Sequence, residues 1–212
     1  MHRQLLLLAG ALAVAVFGVA TTAGRSADDK GKEMEIIMPK DVVESLNKMA
    51  DTVGKGGDPK MDAEALAKKY NEPGQLKKIM WVFKPREEGG KGGFGIGPKP
   101  GVYNPDGIET YIAFKSNPMR GKISAAELKA GAADFNRMAD ITIAMSEVSH
   151  QFTPKKKAQG MDPKDWTKFT GEMKKGAEDL KGAVKDNDPA KAKAAFGRMY
   201  SACNNCHTMF RD

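Results

Sequence analysis

Four stretches of this chain carry apolar residues at steps of three and four, and each is bounded by residues that start or stop helices. That pattern confines the fold to packed helices. The first stretch, from about Met38 to Val53, sets Val42, Leu46, Met49 and Val53 on one stripe and ends in GKGG. The second opens at Ser124, where S-x-x-E reads as a capping box with Glu127 reaching back. It carries Leu128, Ala132, Phe135, Met138, Ile141, Met145, Val148 and Phe152, and stops before Pro154. The third and fourth both open on Asp-Pro, at Asp162-Pro163 and Asp188-Pro189, with the proline at the first helical position. Trp166, Phe169, Met173, Ala177, Leu180 and Val184 line the third; Ala192, Phe196, Met199, Cys203, Cys206 and Phe210 line the fourth. Each stripe is one helix face wide, and the links TPKKKAQGM and DN suit antiparallel neighbours. The chain is therefore expected to be all-α, an antiparallel four-helix bundle.

Residues 57–122 stand outside this scheme. Met61 to Tyr70 reads as one more short helix, broken at NEPG, while IMWVFK and ETYIAF read as two short strands. REEGGKGGFGIGPKPG between them holds too many glycines and prolines for a regular element. It has no G-x-x-x-x-G-K-[ST], so a phosphate loop is excluded. The segment is expected to be an irregular insertion between the first and second bundle helices, packed on one side or end of a domain spanning 34–212.

The N-terminus has Arg3, an apolar run from Leu5 to Ala20 and then small residues, the layout of a secretory signal peptide over residues 1–23 with cleavage after Ala20 or Ala23. The run falls a little short of the roughly 18 residues a spanning helix needs, which disfavours an uncleaved anchor. Loss of this leader removes one charge, Arg3, and lowers the formal net charge from +7 to +6. An exported, modestly basic chain with no recognition motif is not a nucleic-acid binder. Its scattered lysines are a solvated helical surface, and their one functional use is docking to an acidic protein or an anionic surface. No acid–base pair or activated nucleophile is visible, so no catalysis is expected.

The chain has only two cysteines, and both lie in CNNCH, five residues from the end. A redox dithiol needs its first cysteine at a helix N-terminus, whereas Cys203 lies near a helix C-terminus. A structural zinc site needs four ligands; the leader-free chain offers two cysteines and two histidines, with His150 far away in sequence. A disulfide across one helical turn would be strained. Covalent haem attachment remains, and it suits a helix: at about 100° per residue Cys203, Cys206 and His207 fall within one sector. Two thioethers can then hold the porphyrin edge while an imidazole is offered to the iron, on the side that carries the apolar stripe.

A leader, four helices and C-x-x-C-H close to the C-terminus, followed by Phe-Arg as CNNCHTMFR, resemble the class II c-type cytochromes, the cytochrome c′ group. The resemblance covers the bundle segments. It implies haem c attached at Cys203 and Cys206, His207 as proximal ligand, and Arg211 at the family's arginine near the haem. It further implies a periplasmic protein passing single electrons between redox partners, with a homodimer also allowed for. Low-spin members carry a methionine near the start of the first helix, which points to Met38 as sixth ligand, a soft thioether that raises the reduction potential. Pro39 departs from the family pattern and favours a place for Met38 outside the first turn. Met34 and His150 are the alternative ligands, and Met49, about three turns inward, is expected to be core. A five-coordinate iron binding a small gas such as nitric oxide or carbon monoxide is the alternative function, and a haem-free interaction protein the third.

Overall fold

The computed structural model describes residues 38–86, 93–157 and 162–210. The leader, Met34 and Arg211 lie outside the described residues. The helices are α1 (Lys40–Gly54), α2 (Lys60–Lys69), α3 (Gln75–Ile79), α4 (Ile108–Ser116), α5 (Ala125–Ala130), α6 (Ala132–Gln151), α7 (Pro163–Lys185) and α8 (Pro189–Phe210), with a 3-10 turn at Met80–Phe83 after α3. Among the described residues there is no strand, and no helix is long and apolar enough to cross a membrane.

The caps do what their residue types allow. Asp162 accepts the Lys164 N–H at 3.0 Å, and its own N–H is taken by Asp165 at 3.0 Å, a complete capping box at the start of α7. Asp188 accepts from the N–H groups of Ala190 and Lys191 at 2.9 and 3.0 Å, so this aspartate caps α8 as well, without the returning bond that Asp165 gives in α7. Ser124 accepts the Glu127 N–H at 3.1 Å, but Glu127 does not reach back. Its carboxylate goes instead to the Lys115 ammonium at 2.5 Å and the Tyr111 hydroxyl at 3.3 Å, because a buried ammonium needs a counter-charge more than an exposed helix end does.

Three expectations are corrected. The second bundle helix is two pieces, α5 and α6, divided at Gly131, where a Cβ would lie 2.7 Å from the Tyr103 hydroxyl and 2.8 Å from the Phe135 ring. The supposed strand ETYIAF is helix α4; its buried residues Ile108, Tyr111, Ile112 and Lys115 are spaced three, one and three apart, which is a helix face seen through too short a window. The supposed strand IMWVFK is α3 running into the 3-10 turn, burying Ile79, Val82 and Phe83 by the same spacing.

Packing follows the stripes. α7 lies along both α6 and α8, α1 and α2 pack on α6, and α4 packs along α8. α7 and α8 approach closely at Gly176, where a Cβ would come 2.7 Å from the Met199 side chain and 3.0 Å from its backbone nitrogen. One core runs through the assembly, with Val42, Leu46, Phe135, Met145, Leu180, Phe196 and Met199 all fully buried. At the end where α6 and α8 begin, Tyr103, Tyr111, Phe135 and Phe196 form an aromatic cluster with ring centroids 5.6 to 6.4 Å apart; such pairs add roughly 0.5–1.5 kcal/mol each beyond their burial. The described part of the Gly- and Pro-rich stretch, residues 93–101, is irregular, as its composition requires, but it is pinned. Arg86 forks onto both oxygens of Asp106 at 3.0 Å and donates to the carbonyls of Ile96 and Gly97, while Asp106 accepts the Ile96 N–H at 2.9 Å. This clamp ties the two ends of the loop together just before α4.

Candidate cofactor site at the end of the last helix

Along α8 the buried face is Ala192, Ala195, Phe196, Met199 and Ala202. Cys203 continues it, packed against the core and partly buried, and Cys206 and His207 follow half-buried. The stripe therefore runs out of core one turn before the motif ends. Both cysteines are free. Loss of water, helped by the nearby Glu109 charge, pushes the Cys203 thiol up to about 12, and desolvation alone pushes Cys206 up to about 11. At neutral pH both are protonated thiols, the opposite of the depressed pKa a dithiol oxidoreductase needs.

The topology gathers a small set of groups around this end. α7 and α8 are antiparallel across their short link, so the start of α7 lies level with the end of α8. Trp166 of α7 donates its indole N–H to the Ser149 carbonyl at 2.8 Å, which brings the end of α6 to the same level. α1 runs opposite to α6, since Arg137 near the start of α6 donates to Asp51 and Asn47 near the end of α1 at 2.5 and 2.7 Å. Met38 thus arrives where α6 finishes. It is buried, 7% exposed, and sits one residue ahead of Pro39, which flanks α1 with an extended ψ of 140°, so it lies outside the first turn as the proline requires.

Two groups here were not anticipated. The Sδ of Met80 lies 3.8 Å from the Ser149 hydroxyl, a second thioether at the same end of the bundle. Glu109, in the first turn of α4, places Oε1 3.4 Å from Nδ1 of His207 and Oε2 3.3 Å from the Lys84 ammonium. No local signal marks either residue: Met80 looked like a strand residue, and Glu109 reaches His207 because α4 packs along α8. His150 is exposed, with Nδ1 3.4 Å from the Thr170 hydroxyl of α7, the arrangement of an ordinary helix-end histidine. Met49 is fully buried core. A cleft of about 400 Å³ between α1, α6 and residues 94–98 lies towards the opposite end of α6, where Asn47, Asp134 and Arg137 line it.

The donor set fits a covalently held porphyrin. Two neutral thiols and one imidazole stand at i, i+3 and i+4 of a single helix, and among the described residues no partner stands at Nε2 of His207 once Glu109 has engaged Nδ1. Residues 109–211, from α4 to the end of α8, match the model of the family described as Cytochrome C'.

This part of the chain belongs to the cytochrome c′ family. The protein is accordingly a haem-binding c-type cytochrome with covalently attached, iron-containing haem c on a helical-bundle framework. The match begins at α4, inside the segment that sequence composition sets apart as an insertion, and α4 is the helix that packs along α8 beside the motif. No curated protein and no solved structure matches the chain.

Proposed function

We propose that this cytochrome c′-family protein is an exported monohaem carrier that passes single electrons between periplasmic redox partners. Cys203 and Cys206 tether the porphyrin edge, His207 supplies the proximal nitrogen, and Met38 supplies the sixth ligand. Bound there, the haem supplies a ferric–ferrous couple. The observation that carries this reading is the clustering of two protonated thiols and a half-buried imidazole on one sector of α8, within the segment that matches the family. The rest of the chain holds and shields rather than reacts. The core above Cys203 excludes water from one side of the motif, and the buried Met38 is a soft donor at the same end. Arg211 follows the motif as the family's arginine does. The excess of basic residues suits a partner with an acidic docking face.

The test is a visible spectrum of protein exported by a host with a haem-ligation system. A ferrous spectrum with a sharp low-spin band, unchanged by carbon monoxide, is expected. Ready carbon monoxide binding would replace the carrier by a five-coordinate gas-binding protein. The double variant Cys203→Ala/Cys206→Ala should lose the covalent haem seen by pyridine haemochrome and by mass, and an unmodified wild-type polypeptide would refute haem attachment altogether.

A further inference from the structure

We infer that Glu109 is a positioning residue for His207: its carboxylate holds the Nδ1–H side of the imidazole and sets how strongly Nε2 donates to iron, with Lys84 moderating that charge from the far side. The inference rests on the reading of His207 as haem ligand. Glu109 Oε1 lies 3.4 Å from Nδ1 while Oε2 lies 3.3 Å from the Lys84 ammonium, so one carboxylate bridges an imidazole and a cation. The Glu109 side chain keeps 28% of its exposure and His207 35%, so the contact is partly withdrawn from water. The three residues come from three elements, the turn after α3, the first turn of α4 and the last turn of α8. Nothing local in the sequence brings them together; the packing of α4 along α8 does, with the Arg86–Asp106 pair two residues after Lys84 and three before Glu109.

An imidazole that ligates through one nitrogen needs its other N–H directed, and a carboxylate there makes it a stronger donor. Stronger donation favours the ferric form, so Glu109 lowers the reduction potential and Lys84, by drawing the same carboxylate away, raises it. At 3.4 Å the carboxylate acts on the imidazole as a neighbouring charge, and loss of such an outer-shell partner of a ligating imidazole is typically worth roughly tenfold or more.

The experiment is a spectroelectrochemical titration of the holoprotein, with haem content checked by pyridine haemochrome. Glu109→Gln should shift the balance about tenfold toward the ferrous form, a rise of about 59 mV for one electron. Lys84→Met should lower the potential, and the double variant should match Glu109→Gln alone, because Lys84 acts through Glu109. Should Glu109→Gln not accumulate, Glu109→Asp keeps the charge but withdraws it from Nδ1, and the same upward direction is expected. An unchanged potential in a haem-loaded Glu109 variant overturns the inference while leaving His207 as ligand. Simple additivity of the Lys84 and Glu109 effects overturns the relay between them. A wild-type protein without covalent haem removes the ligand assignment and this inference together.

Discussion

Replacing Asp106 with Asn tests whether one ion pair delivers α4 to the motif. The Arg86 and Asp106 side chains retain only 17% and 13% exposure, and Asp106 accepts from two nitrogens of Arg86 and from the Ile96 N–H. Removing one partner of a fully buried pair costs about 3–5 kcal/mol, since the other charge stays behind uncompensated. Residual water access lowers the expected cost to about 2–3 kcal/mol. For a domain of this size, that corresponds to a fall in Tm of about 5–10 °C. The control is Lys48→Met, which breaks the Lys48–Asp62 pair; its side chains are 69% and 34% exposed, and an exposed pair is worth about 0–1 kcal/mol. Thermal unfolding of the two variants, followed by far-UV circular dichroism under identical conditions, separates them. If Asp106→Asn melts within the error of Lys48→Met, the clamp does not hold the loop, and the packing of α4 along α8 alone sets the approach of Glu109 to His207.

Three further outcomes are expected. Gly176→Ala should destabilise the protein by about 1–3 kcal/mol in urea unfolding, because the new methyl meets the Met199 backbone as well as its side chain and α7 and α8 must separate. Stability should fall as pH rises above 10: the Tyr70 phenol is pushed up to about 12 by desolvation and by its hydrogen bond to Asp41, and burial raises Tyr103 and Tyr111 as well. A raised folded-state pKa contributes stability that is intact below the unfolded value of 10 and is lost through the folded value. Tyrosinate absorbance rising in step with loss of helix between pH 10 and 12 would bear this out, whereas free titration near 10 in folded protein would contradict it. Met38→Ala should convert a low-spin spectrum to high-spin; if Met80→Ala does so instead, the thioether beside Ser149 is the ligand.

Much of the framework was readable because helix-forming information is local. Apolar spacing, Asp-Pro starts and a Ser cap act within a few residues, so α1, α7, α8 and most of α6 could be located from composition and period alone. The C-x-x-C-H string is local in the same sense: residues at i, i+3 and i+4 share a helix face whatever surrounds them. The same locality explains the misreadings. IMWVFK and ETYIAF are too short for a period to show, and Glu127 satisfies a capping pattern while its carboxylate serves Lys115, a residue twelve positions away.

From its residues alone the protein was determined to be helical and to carry a thiol pair and an imidazole on one turn, because backbone geometry turns spacing into a common face. Tertiary packing decided what stands around that turn. Glu109 reaches His207, Lys84 reaches Glu109, and Met80 reaches Ser149 near the end of α6, all between elements far apart in sequence. Such contacts depend on where whole helices come to rest, and that is set by which buried surfaces and charges find partners across the fold, not by the order of neighbouring residues.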